Sequence, residues 1–359
     1  MPQPYAGWKA LDLASVNTQA AQLILAPTKS LDYRIPALAR LNGELLLFAD
    51  ARPQPDEALD WQRIGGAMAA DLPNPNYLVY LRFHLATRAW GKPVRLSGTP
   101  AACGDAATVV TRVSGKAQPK ELLTLCYAAS KKVGYFGSSY TGDRLEAWVA
   151  CGEDVGALKH RRLDEIYERL HCDAAFATSG SAVAYPHPEF AEELAVFPFV
   201  IRVGEETHLR LVFFLRGEIV QISEPIADGS LGRVDETALV VDGEDIVLSI
   251  RRQHEGGRMW GRWNPRGISA LSLDNAADPG CNACLIQLGS PGDSRVALIH
   301  PHHGLARENG VVWDVEKQRV LHQFSAGEFG YSDSVRIDEH TLLVVFERDG
   351  GLVAETLAL

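Results

Sequence analysis

The chain has 359 residues, of which 46% are hydrophobic and 22% charged, enough apolar material for a large core in one big domain or two ordinary ones. Its formal net charge of −10 argues against nucleic acid or an anionic membrane surface as the main partner, because both demand a basic footprint. An anionic small substrate stays open, since a few arginines in a cleft set the local field whatever the total charge.

In chain order, residues 1–19 lack the basic start and apolar core of a secretory signal. The location implied is the cytoplasm, or outside the cell if a leader has been removed. No apolar run approaches the roughly 18 residues of a spanning helix, so membrane insertion is not expected. Short apolar runs then recur along the chain, at 44–49 (ELLLFA), 77–81 (YLVYL), 121–127 (ELLTLCY), 209–214 (LRLVFF), 246–250 (IVLSI), 295–299 (RVALI), 310–314 (GVVWD) and 341–346 (TLLVVF). Each is rich in Val, Leu and aromatic residues and bounded by turn formers, which predicts strands. So many short strands with little helical period predict an all-β sandwich, barrel or propeller. The exception lies mid-chain, where Leu163, Ile166, Tyr167 and Leu170 fall at helical spacing and predict a helix over 154–170. A second short helix is predicted at 188–194, after Pro188. Together they predict a helical insertion of about 152–195 decorating a single β-domain over 1–359.

Six cysteines, at 103, 126, 151, 172, 281 and 284, are expected to be free buried thiols in a chain of this size. Cys281 and Cys284 have zinc-ligand spacing but no second pair accompanies them. His300, His302 and His303 sit on a turn in poor ligand geometry. No metal or other cofactor is therefore expected. Trp260 and Trp263 suit either a sugar face or the packing of a loop.

Two segments far apart carry chemistry. Tyr33-Arg34-Ile35-Pro36 offers a fixed guanidinium, and Tyr331-Ser332 is followed by an apolar run closing on Glu347. A guanidinium pairs bidentately with a planar carboxylate, and a phenol becomes a nucleophile when a carboxylate takes its proton. That combination suits a substrate that bears its own carboxylate and reacts through a cationic transition state.

The YRIP tetrapeptide closely resembles the RIP motif of sialidases, and Gly330-Tyr331-Ser332 with the strand ending at Glu347 is similar to that family's second signature. The resemblance extends over about residues 30–350 and implies a six-bladed β-propeller. It implies that Arg34, Arg251 and Arg307 bind the substrate carboxylate, that Arg52 of the Asp50-Ala51-Arg52 stretch lines the pocket floor, and that Glu347 orients Arg34. By the same resemblance Asp71, before Asn74-Pro75-Asn76, is the acid/base catalyst, Tyr331 the nucleophile and Glu236 the base that polarises it. Asp56 and Asp60 compete with Asp71, Arg252 with Arg251, and Arg295 with Arg307. The chain departs from the pattern in two places. Asp235 stands where the family often has Asn, and the turn at 85–91 (LATRAWG) keeps the Trp of the family's Asp-box but not its Asp. The activity implied is that of a retaining exo-α-sialidase acting on sialylated glycans. Hydrolysis of a related ulosonic acid glycoside (Kdn or Kdo) and a non-catalytic glycan-binding propeller remain open.

Overall fold

The computed structural model describes residues 21–54, 71–115, 118–227, 233–253, 257–274, 276–288, 295–338 and 340–358. Asp56 and Asp60 lie outside the described residues.

The strands form six sheets arranged as the blades of a propeller, antiparallel throughout except where Gly180–Ser181 runs parallel to Cys103–Val113. The first blade is built on Leu31–Leu41, Glu44–Pro53 and Tyr77–His84, and the second on Cys103–Val113, Lys120–Ala129 and Glu146–Gly152. Leu194–Val203 and Glu206–Leu215 are the long strands of the third, and Val234–Asp242, Asp245–Arg252 and Arg258–Asn264 make most of the fourth. Cys284–Gln287, Val296–Pro301, Gly310–Asp314 and Arg319–Gln323 form the fifth. The sixth joins Ser332–Asp338, Thr341–Arg348 and Gly351–Ala358 to Gln22–Leu25, so strands from the two ends of the described chain share one sheet.

The continuous apolar runs have a physical reason in this architecture. A blade is covered on both faces, so its middle strands need apolar residues at every position rather than at alternate ones. Along Glu44–Pro53, Leu46 and Phe48 pack toward the second blade, while Leu45, Leu47, Ala49 and Ala51 pack toward the sixth. An apolar cluster of this kind fills each of the six junctions between neighbouring blades.

Three of the axial strands carry a register shift near their starts, at Arg34/Ala37, Gly104/Ala107 and Val234/Thr237. A bulge breaks the two-residue alternation and re-aims the side chains beside it. The bulges of the first and fourth blades hold Arg34, Ile35 and Glu236, which meet Tyr331, and that of the second holds Asp105, which faces Arg52.

A short helix forms mid-chain as expected, but its extent needs correction. The α-helix runs only from Asp164–Leu170, burying Ile166 and Tyr167 between the second and third blades, and ends on His171 in the left-handed region at φ 48°. Before it, Lys159–Arg162 pairs along Glu146–Gly152 as an edge strand, and Val155–Ala157 is a single 3-10 turn. No helix forms at 188–194, where Glu192 and Glu193 instead accept hydrogen bonds from the backbone N–H groups of Ser114 and Arg112. Residues 152–195 also supply Ala174–Ala177 and Val183–Tyr185 to the third blade and Gly180–Ser181 to the second. They are part of the β-frame, not a decoration on it. Among the described residues, no helix is long and apolar enough to cross a membrane.

Candidate active site

Strand ends and loops from four blades, the first, fourth, fifth and sixth, converge on Tyr331. Tyr331 precedes the axial strand of the sixth blade and is tied to the next strand by two backbone hydrogen bonds, directly from Glu347 N–H and through Gly330 N–H, both at 3.0 Å. A Cβ at position 330 would lie 2.4 Å from Glu347 Oε2, so only glycine lets the carboxylate come this close.

Glu347 is 6% exposed and serves as a clamp. Its carboxylate accepts from Arg34 Nε at 3.2 Å, Arg34 Nη2 at 3.3 Å, Ile35 N–H at 2.8 Å and Tyr331 N–H at 3.3 Å. The bidentate pairing fixes the plane of the guanidinium. Ile35 has φ of 57°, an uncommon state for a β-branched residue, and its side chain packs with Cys281 and Tyr331. The negative charge of Glu347 raises the pKa of Arg34, and Tyr331 and Asp71 add to the effect despite burial.

On the other side of the ring, Tyr331 donates its hydroxyl hydrogen to Glu236 Oε1. Arg251 Nη1 donates to Glu236 Oε2 and, at 3.2 Å, to the Tyr331 hydroxyl. Burial, then the negative charge of Glu236, push the phenol well above its ordinary pKa. Burial also works against the Glu236 carboxylate, but Arg251 and the phenol O–H together hold it below the usual range. The resting proton therefore sits on the phenol, hydrogen-bonded to an ionised carboxylate. The guanidinium carbons of Arg34 and Arg307 lie 5.4 and 5.1 Å from the Tyr331 ring centroid.

A third group surrounds Arg52. Asp50 and Arg52 are two residues apart on one strand, hence on one face, and Arg52 Nη2 donates to Asp50 at 2.9 Å. Arg52 Nη1 donates to Asp71 Oδ1 at 2.5 Å, and Nη2 reaches Asp105 Oδ1 at 3.4 Å. Asp105 lies in the bulge of the second blade at φ 60°. Burial, with Asp50, Asp71 and Glu236 adding negative charge against Arg52, pushes it up to about 7.

The structure thus brings together Arg34, Arg52, Asp71, Glu236, Arg251, Arg307, Tyr331 and Glu347, whose outermost members are 313 positions apart in the chain. It is Arg251, not Arg252, that reaches Glu236 and Tyr331, and it is Arg307, not Arg295, that lies against the ring. Sequence reasoning missed Asp105, whose one signal is a Gly-Asp pair ahead of an apolar run. It also missed the fully buried Arg258, which donates to Asp278 Oδ2 at 2.9 Å and to the Cys281 carbonyl at 2.9 Å, anchoring the segment beneath Tyr331.

The other noted groups disperse. His300 lies 3.5 Å from Asp278, His302 stacks on Trp313, and His303 Nδ1 accepts from the backbone of Ala306. All six cysteines are free thiols. Among the described residues no cluster of His, Cys, Asp and Glu is arranged to hold a metal ion. Trp263 packs on Phe213, and Trp260 donates to Asp274.

No family model and no curated protein matches the sequence. Solved structures do match the fold, sialidases among them. A Hadza microbial sialidase superposes with a TM-score of 0.70 at 15% identity, covering 91% of this chain. Trypanosoma rangeli sialidase gives 0.69 at 12% over 95%, and the NanB sialidase of Streptococcus pneumoniae 0.63 at 12% over 95%. This protein has a sialidase-like β-propeller fold. The chain spans 66%, 59% and 71% of those three proteins respectively.

Proposed function

We propose that the protein is a retaining exo-α-glycosidase acting on sialic acids or closely related ulosonic acids. The observation that carries this reading is the buried Tyr331 hydroxyl donating to Glu236, with Arg34, Arg251 and Arg307 around the ring. A phenol so protected is a poor acid by itself, so it reacts only when its proton has a direct acceptor. It also brings no negative charge against a substrate that already carries one. Two of the T. rangeli sialidase structures hold 2,3-difluorosialic acid, as a covalent intermediate, and 2,3-difluoro-KDN.

In the proposed reaction Arg34, Arg251 and Arg307 bind the substrate carboxylate. The Tyr331 oxygen attacks the anomeric carbon as its proton passes to Glu236, and Asp71 gives a proton to the departing glycosidic oxygen. A water then attacks the glycosyl-tyrosine, losing its proton to Asp71, while Glu236 returns the first proton to the phenol oxygen. Two displacements at one carbon retain configuration. Arg52 can release Asp71 for this work because Asp50 and Asp105 also accept from it.

The test is fluorophore release from α-glycosides of N-acetylneuraminic acid, Kdn and Kdo. Turnover of one of them, lowered by at least about 10³-fold in Tyr331→Phe, is the expected result. Equal turnover by Tyr331→Phe would remove the nucleophile assignment. Binding without turnover of any of the three would make the protein a glycan-binding propeller.

A further inference from the structure

The bulge in the fourth blade does something a regular strand cannot. Val234 pairs with Arg252 and Thr237 with Ile250, so both Asp235 and Glu236 stand against the single residue Arg251. In an unbroken strand these neighbours would face opposite ways. Here both are buried, and both reach the same nitrogen. Arg251 Nη1 contacts Glu236 Oε2 and lies 3.6 Å from Asp235 Oδ2. Gln253 Nε2 donates to Asp235 Oδ2 at 2.8 Å.

Two carboxylates and one guanidinium in a buried space leave one negative charge in excess, and like charges that close favour keeping a proton. Burial and the charge of Glu236 push Asp235 up to about 7, against the pull of Arg251 and Gln253. Other titratable groups face this pair. Tyr331 bonds Glu236 from the sixth blade, Tyr135 feels the charge of Asp235, Cys281 lies near Arg251, and Asp105 feels Glu236 from the second blade.

Resting on the ulosonic-glycoside reading, we propose that Asp235 is a positioning residue: its proton leaves Arg251 partly uncommitted, so that a substrate carboxylate can share that guanidinium. While Asp235 is neutral, Arg251 answers one protein carboxylate and can accept a second from the ligand. Once Asp235 ionises, two protein carboxylates claim Arg251 and the ligand meets an added negative charge. Affinity for an anionic substrate is therefore full on the acid side of neutrality and declines as pH rises. The decline falls mainly on KM, because the carboxylate is present in ground and transition states alike.

The test measures kcat and KM against pH for the wild type, Asp235→Asn and Asp235→Ala. Wild-type KM should rise about tenfold between about pH 6 and about pH 8, with kcat changing less. Asp235→Asn mimics the protonated acid and should keep kcat while flattening the KM profile. Asp235→Ala should flatten the profile too but lower kcat, since Glu236 loses its neighbour. An Asn variant whose KM still climbs as in the wild type overturns the proposal. If no glycoside is turned over, it is the functional reading that fails, and the proton is followed directly by carboxyl carbon NMR. A resonance titrating near neutrality should vanish in Asp235→Asn and persist in Asp105→Asn. Its persistence in Asp235→Asn overturns the proposal independently of activity.

Discussion

Ile35 shows how the site is tensioned at a single residue. Its left-handed backbone costs about 1–2 kcal/mol for a side chain with a Cβ. The same conformation delivers its N–H to Glu347 at 2.8 Å and turns Arg34 toward that carboxylate. The side chain is only 2% exposed and packs on Tyr331 and Cys281. Ile35→Gly would relieve the strain yet remove a buried side chain worth about 2–5 kcal/mol. Packing wins, and we expect net destabilisation of about 2 kcal/mol, read as a lowered urea midpoint with unchanged slope. A Gly variant as stable as the wild type would mean the ring is not supported from this side.

At the scale of the element, chemistry gathers where regular strand geometry breaks. The axial strands of the first, second and fourth blades hold their site residues in bulges, and the bulge sets which side chains face inward. The segment ahead of the fifth blade is held differently, by the buried pair of Arg258 and Asp278. Burial opposes the Asp278 carboxylate, yet Arg258, with help from His300, holds it well below the usual range. Arg258→Ala would leave that charge buried and unpaired, at a cost of about 3–5 kcal/mol. Equilibrium unfolding checks this, and a loss under about 1 kcal/mol would show that Asp278 finds another partner.

These elements also separate what is legible in the chain from what is not. Arg34, Tyr331 and Glu347 lie in or close to contiguous motifs, and the strands follow from apolar runs that a doubly covered blade requires. Bulges leave no such trace, because the extra residue is fixed by pairing with a strand elsewhere. Asp105 therefore reads as an ordinary turn acid, and nothing local sets Asp235 and Glu236 together against Arg251. The predicted helix over 154–170 is too long because helical spacing at 163–170 says nothing about 159–162, which an open sheet edge captures as a strand. Tertiary pairing overrides the local pattern there.

For the molecule as a whole, burial of carboxyls sets a pH dependence of stability. Asp105 and Asp235 are pushed to about 7 and Asp333 to about 6, in each case chiefly by burial. A raised carboxyl stabilises the fold fully below its unfolded value and loses that contribution as pH climbs through the folded one. His160, His302 and His322 run the other way, since burial lowers them, and the stability they add keeps growing until pH is about a unit above the ordinary imidazole value. Between about pH 6.5 and about pH 8 the carboxyl loss outweighs what remains of the imidazole gain, and stability should fall by about 1 kcal/mol or less. Thermal unfolding of the ligand-free protein should show Tm dropping by about a degree across that interval. A flat or rising Tm would contradict the burial argument.

The sheet shared by the two ends of the described chain has a consequence for how the molecule comes into being. Arg34 leaves the ribosome 313 positions ahead of Glu347. At about 5–20 residues per second, that separation amounts to tens of seconds of synthesis. Throughout it the first blade has neither its neighbour in the sixth nor the carboxylate that clamps Arg34 and the Ile35 turn. Assembly of the pocket thus waits for the sixth blade, and a nascent chain cut short anywhere between Arg34 and Glu347 carries Arg34 without the carboxylate that aims it.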